Sequence, residues 1–226
     1  MLDYLFSSPL FGFVLCIITY SIGNYLYLKY KYPVFNPCII ATALCIIFLQ
    51  TSKMSVAQFN QAGDIISLFI PIATSLLALS IYRQRLILKK YFIPIVIGCS
   101  AGAITSIVSS YLLCQLLKLD QVVLAAVLPK SVTTAIAIEI TQQLNGIVAL
   151  TILCVFITGV LGAVFSPILI KVFKIDNAIA QGVAIGTSSH VLGATKAVEL
   201  GEIQGAMSGV AIGITGIVTL VLVAFL

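Results

Sequence analysis

Two short polar stretches interrupt a chain that is otherwise almost entirely apolar: Pro129-Lys130-Ser131-Val132-Thr133-Thr134 and Gly186-Thr187-Ser188-Ser189-His190. Each joins one basic side chain to several hydroxyls. Lys130 and His190 can meet a negative charge, while Ser131, Thr133, Thr134, Thr187, Ser188 and Ser189 can hydrogen-bond the oxygens of a solute. Where such a stretch breaks a helix, the free N–H groups of the next helical turn also attract an anion. The chemistry that fits is recognition of a small carboxylate, a hydroxy- or keto-acid, by these eight residues.

The surroundings decide what kind of protein could hold them. Of 226 residues, 61% are hydrophobic and 8% charged, and the mean hydropathy is +1.18. Soluble domains carry roughly 25% charged residues, so a water-soluble enzyme is excluded. About 20 apolar residues cross a bilayer as a helix, and lipid leaves no backbone polar group unpaired. Apolar runs cover 9–28, 36–50, 64–82, 91–117, 122–143, 146–172, 178–200 and 205–226. They are far too long for the alternating strands of a barrel. The expectation is an all-α polytopic membrane protein forming one membrane domain over 1–226, with spans in 1–120 and both polar stretches in 121–226.

The net charge of +5 is not gathered into a basic patch with interleaved aromatics, so no nucleic-acid partner is expected. The six cysteines lie in apolar stretches without a Cys-x-x-Cys pair, which argues for free buried thiols and against a metal site. No cofactor is implied. The first nine residues lack the basic region of a secretory signal, so the first helix is expected to stay.

Charge placement bears on topology. If all eight runs cross, the best orientation places six loop cations inside and four outside. If instead 122–143 and 178–200 each enter and leave by one face, Lys29, Lys31, Arg83, Arg85, Lys89, Lys90, Lys171 and Lys174 all fall on one side, against Lys53 and Lys118. The positive-inside rule then favours six full spans plus two re-entrant hairpins, with both termini outside. A Lys or His at membrane depth is costly unless a partner or water meets it, and polar hairpin tips in a wet pocket meet that demand.

The two polar segments also resemble copies. Ala137-Ile138-Glu139-Ile140 matches Ala197-Val198-Glu199-Leu200 at an offset of 60, and Thr158-Gly159 matches Thr215-Gly216 at 57. A fainter third copy pairs Pro71-Ile72-Ala73-Thr74 with Pro129-Lys130-Ser131-Val132. A hairpin plus one span is an odd number of crossings, so consecutive copies would be inverted, the arrangement by which secondary transporters expose a midplane site to either side. Glu139, Glu199 and Lys196 are candidates for a coupling charge or for structural pairing, and Asn36, Pro37, Pro71, Thr74 and Pro129 for helix breaks, although Asn36-Pro37 can equally begin the short run that follows. Glycines four apart (Gly98/Gly102, Gly182/Gly186, Gly205/Gly209/Gly213) suggest flat helix faces. Gly98-Cys99-Ser100-Ala101-Gly102 has the spacing of a nucleophile elbow but lies in an apolar helix, with one histidine and no fixed acid to serve it. An intramembrane hydrolase is therefore the weakest reading, and no enzyme is expected.

Leu128-Pro129-Lys130-Ser131-Val132-Thr133-Thr134, Ile157-Thr158-Gly159-Val160-Leu161-Gly162-Ala163, Gly186-Thr187-Ser188-Ser189-His190 and Gly205-Ala206-Met207-Ser208-Gly209 together resemble the signature of the LrgB/CidB family. Asn36-Pro37 and Pro71-Ile72-Ala73-Thr74 resemble its weaker N-terminal motifs. Ala135 stands where that family usually has proline, and Ala194-Thr195-Lys196 replaces its more usual Thr-Ala-Arg. The resemblance implies a bacterial inner-membrane protein, holin/antiholin-like and tied to murein hydrolase activity and autolysis. It also implies a small LrgA/CidA-like membrane partner and a homo-oligomer in the bilayer. Related proteins move pyruvate in bacteria and glycolate and glycerate in plastids. Two functions follow: a carrier of small monocarboxylates, or an oligomeric antiholin-like pore.

Overall fold

The computed structural model describes residues 8–30, 35–52, 54–69, 72, 75, 79 and 82–225, and all regular structure among them is helical. The chain forms two compact units, Met1–Leu76 and Leu77–Leu226.

In the first unit, α1 (Pro9–Tyr30) packs against α2 (Pro37–Ser52) and α3 (Val56–Ser67). Gly23 lets α1 approach the start of α2, where a Cβ would lie 2.8 Å from the Pro37 carbonyl oxygen. Asn36 and Pro37, which the sequence left as either a helix break or a helix start, open α2: the Asn36 Oδ1 accepts from the Cys38 N–H at 2.9 Å, and proline tolerates the first turn because its missing N–H has no helical partner there. The sequence reading placed a connection at 51–63, yet α3 forms. Ser55 and Gln58 make a reciprocal capping box, the Gln58 N–H reaching Ser55 Oγ at 3.2 Å and the Ser55 N–H reaching Gln58 Oε1 at 3.0 Å. Pro71 and Thr74 lie outside the described residues.

The second unit begins with α4 (Arg85–Leu116), longer than the run that announced it. Arg85, Lys89 and Lys90, expected in a loop, occupy its first turns. The helix bends at Tyr91 (φ −113°, ψ 19°) because Pro94 offers no N–H to the preceding turn and its ring crowds that turn's carbonyl. Then come α5 (Gln121–Val127), α6 (Thr134–Gln143), α7 (Val148–Val172), α8 (Ala178–Leu200) and α9 (Glu202–Val223).

Two reversals shape this unit. Residues 128–133 turn the chain so that α6 runs back along α5: the Thr141 hydroxyl donates to the Ala125 carbonyl at 3.5 Å, and the position of Gly146 abuts both Thr141 and Ala125. The chain then enters α7 at the same end, where Thr141 and Thr151 hydroxyls meet at 2.8 Å. Within α8 the helix is interrupted at His190. Its first arm, 178–189, lies along α9, with Gln204 Nε2 donating to Gln181 Oε1 at 3.0 Å and Gly186 set against Ser208. The second arm, 191–200, brings Val198 back beside Gly205 and returns the chain to the end where α8 began. The two reversals therefore start from opposite ends of α4. The bend near 135 that Ala135 put at issue falls earlier, at 128–133, with Ala135 already helical.

Two apolar cores flank the middle. One joins Ile95, Cys99, Val183, Met207 and Val210, and the other joins Ile107, Cys114, Leu124, Leu128, Ile140 and Val223. Among the described residues, α1 (from Leu10), α4, α7 and α9 are long and apolar enough to cross a membrane, and the shorter α2 is apolar over 16 residues. Nine of the nineteen residues of the run 64–82, expected as a further span, lie outside the described residues. The chain is thus a multi-pass, all-helical membrane protein.

The glycine faces differ in use. A Cβ on Gly186 would strike the Ser208 backbone, whereas one on Gly213 meets nothing within 4 Å, so the expected flat face at Gly213 packs against nothing described. Gly186→Ala should lower the apparent melting temperature of the detergent-solubilised protein, the cost being roughly 1–3 kcal/mol for overpacking. Gly213→Ala should raise it slightly, by the roughly 0.5–1 kcal/mol that alanine gains in a helix. Size-exclusion profiles after graded heating read both.

Candidate functional site

Between α4 and the first arm of α8 lies a cavity of about 770 Å³. One part of it is apolar, bounded by Tyr91, Ile95 and Val183, and the other is polar, formed by Ser106, Ser131, Thr187 and Ser188. Asn177 marks the apolar end and Ser188 the polar end; eleven residues of helix span roughly 16 Å between them. The Asn177 end is the one near which Arg85, Lys89, Lys90, Lys171 and Lys174 lie, while Lys118 is at the other.

The first reversal contributes Ser131 to this cavity. Pro129 is fully buried at the bend, where α5 has ended and no helical N–H is needed from it. The Ser131 hydroxyl lies 2.7 Å from that of Ser106. Lys130 turns away from the cavity toward α4, its ammonium donating to the Ser110 hydroxyl and, at 3.5 Å, to the Ser106 carbonyl. Thr133 caps α6 half-buried, and Thr134 is exposed on the first turn beyond it, so neither lines the cavity.

The second reversal contributes Thr187 and Ser188. Thr187 is buried, with Thr215 Oγ1 at 3.4 Å and Cys99 Sγ at 3.5 Å. Ser189 and His190 are buried behind them, away from the lining. His190 has a positive φ of 42° with ψ −144°, a conformation costing a non-glycine residue on the order of 1–3 kcal/mol. Its ring holds the reversal in place: Nε2–H donates to the Val155 carbonyl at 2.9 Å. The Thr158-Gly159-Val160-Leu161-Gly162 stretch makes room for this. A Cβ at Gly159 would meet the His190 ring, and one at Gly162 would collide with Ser189. Gly102 serves Thr187 in the same way. The glycines the sequence singled out are thus the floor beneath the break.

The charged candidates lie elsewhere. Lys196 and Glu199 form an ion pair at 2.6 Å on the second arm of α8, partly exposed. Glu139 is exposed on α6. None of the three lines the cavity. The residues that sequence reasoning missed are on α4: Ser106 and Ser110, with Thr105 at the cavity wall. Serines in an apolar helix are ambiguous alone, because their hydroxyls can return to the preceding turn's carbonyl, as Thr105 does to Ala101 at 2.8 Å. Spacing gave the only signal: Ser106 and Ser110 are four apart and share a face with Gly102.

In a cysteine-free background, Ser131→Cys and Ser188→Cys should both react with a membrane-impermeant thiol reagent applied from the side of the Lys174 loop. Thr134→Cys should not share that sidedness. Labelling of inside-out and right-side-out vesicles followed by mass shift checks the pattern.

The sequence comparisons agree with one another. The LrgB-like family profile matches residues 16–226. The antiholin-like protein LrgB of Bacillus subtilis (strain 168) is 37% identical over 217 residues, covering 96% of this chain and 94% of that protein. The antiholin-like proteins LrgB of Bacillus mycoides (strain KBAB4) and Bacillus cereus (strain B4264) are 35% and 34% identical with the same coverage. No solved structure matches. With a family profile over nearly its whole length and relatives above 30% identity end to end, the chain belongs to the LrgB family, which is not an enzyme family.

Proposed function

We propose that the protein carries small monocarboxylates of the pyruvate, glycolate or glycerate class across the bacterial inner membrane. The observation that supports this most is the cavity, whose polar end is built from both polar reversals, through Ser131 of one and Thr187 and Ser188 of the other. A carrier built as an inverted pair needs one site shared by both members, and a pocket where the two polar stretches converge suits such a site.

In this reading, 121–143 and 178–200 are re-entrant hairpins entering from opposite faces, each followed by a span (α7, α9) as one member of an inverted pair. Residues 77–226 contribute three full crossings. By the positive-inside rule the Asn177 end, near which Arg85, Lys89, Lys90, Lys171 and Lys174 lie, is on the cytoplasmic face. Those cations raise the local concentration of an anionic solute, and the apolar part of the wall suits a small organic acid better than an inorganic ion. Lys130 supplies the counter-charge and Ser131, Thr187 and Ser188 the hydrogen bonds, with Thr133, Thr134, Ser189 and His190 shaping the two tips. Lys196, Glu199 and Glu139 are structural charges here. An LrgA/CidA-like small membrane protein is the natural partner, and exposed apolar faces on α4 and α7 leave room for a homo-oligomer.

The relatives' names favour a second reading, an antiholin-like regulator of murein hydrolases that acts as an oligomer. Both readings agree if altered acid flux is what reaches the cell wall. Reconstituted protein separates them. Labelled pyruvate or glycolate should enter proteoliposomes saturably, and Lys130→Ala should cut that uptake about ten- to a hundredfold, the worth of one charge-assisted hydrogen bond, without changing the size-exclusion profile. Uptake unchanged by Lys130→Ala sinks the assignment. Release of large trapped dyes, indifferent to Lys130, establishes the pore.

A further inference from the structure

Among the described residues no carboxylate lies within pairing distance of the Lys130 ammonium; the ion pair of this unit, Lys196–Glu199, is made elsewhere. Two of the ammonium's three donors go to one turn of α4, to the Ser110 hydroxyl and the Ser106 carbonyl. That carbonyl also accepts from Ser110 Oγ at 2.6 Å, so Ser110 is held in place to receive the lysine. The next residue, Ser131, is tied to the same turn through Ser106 Oγ at 2.7 Å. Two adjacent residues of the first reversal are therefore fastened to α4 by two side chains.

The cavity reaches one of these fastenings but not the other. Ser106 and Ser131 line it; Lys130 and Ser110 do not. A carboxylate in the pocket meets the paired hydroxyls first, and the ammonium that would neutralise it sits behind them. A neutral serine oxygen is a weaker partner for an ammonium than a carboxylate is, since the carboxylate adds the attraction of a full opposite charge to the hydrogen bond.

We propose that Ser106 and Ser110 are a latch: in the empty protein they hold Lys130 and Ser131 against α4, and an arriving carboxylate takes both residues from them. The exchange frees the 128–133 turn from α4 as the charge is bound, which couples occupancy to movement of that hairpin. Ser110 competes with the solute for Lys130, so its removal strengthens binding and weakens the coupling of binding to transport. This inference rests on the carrier reading above and adds to it two positioning residues outside both polar stretches.

Pyruvate titrations of the purified protein, read by thermal shift, together with pyruvate uptake by proteoliposomes, test it. Ser110→Ala should lower the half-saturating pyruvate concentration on the order of tenfold, since binding no longer displaces a charge-assisted hydrogen bond, and should reduce the maximal uptake rate. Ser106→Ala should move both readings the same way. Ser109→Ala should match the wild type, because Ser109 donates to the Ser106 carbonyl at 3.0 Å without touching Lys130. In a Lys130→Met background, Ser110→Ala should have no further effect, since the pair it breaks is gone. A saturable wild-type response with Ser110→Ala unchanged or weaker overturns the latch and leaves the carrier standing. So does an effect of Ser110→Ala that survives in Lys130→Met. A wild type that neither binds nor transports pyruvate, glycolate or glycerate removes the carrier and the latch together.

Discussion

Lipid offers no hydrogen bonds, and that constraint governs this molecule. Wherever the backbone leaves the helix at membrane depth, the protein itself must cover the exposed groups. His190 is the clearest case. Its left-handed backbone releases the helix ladder of α8, and the ring N–H then spans to the Val155 carbonyl on α7, fastening the reversal to a neighbour. For the ring to reach, α7 must present no side chain at 159 or 162, hence the two glycines. On the opposite side α9 must approach closely, hence Gly186 against Ser208. One break in one helix thus dictates small residues on two others.

The first reversal meets the same demand by different means. It needs no strained residue, because Pro129 ends the helical donors and 128–133 turn through local bonds such as Val132 N–H to the Pro129 carbonyl at 3.2 Å. It differs in carrying a lysine where the other carries a histidine. Burying an ammonium is tolerable only with partners, and α4 supplies them from Ser106 and Ser110. The two tips are chemically unequal for this reason: one is pinned by a buried imidazole bonded to a backbone carbonyl, the other held by hydroxyls that a stronger acceptor can displace.

Composition alone made the all-helical membrane class legible, and the position of both interruptions was legible from proline and from clustered hydroxyls in apolar sequence. Rotational phase was not. Ser131 and Thr134 are three residues apart and of like chemistry, yet one faces the cavity and the other the outside, because the helix restarts between them and sets the direction of each. The α4 serines were hidden by the opposite problem: a hydroxyl in a long apolar helix bonds its own backbone by default, and only the lysine packed against it shows that Ser110 does more. The capped helix α3 was passed over because hydropathy finds spans, whereas α3 is specified by Ser55 and Gln58 at its start.

The inequality of the tips bears on how such a protein could work. A site between two equally rigid loops would bind a solute without moving anything. Here the histidine tip is fixed to α7 and α9, while the lysine tip is attached to α4 by bonds whose acceptors are neutral oxygens. On the carrier reading, an anion entering between them acts on the more easily exchanged contacts, those of the lysine side. Opening at that side would lie toward the end of the unit where α5 begins and α6 returns, away from the Asn177 end of the cavity. On that reading, a lysine placed behind a pair of serines instead of in the pocket wall lets arrival from one face loosen the barrier toward the other.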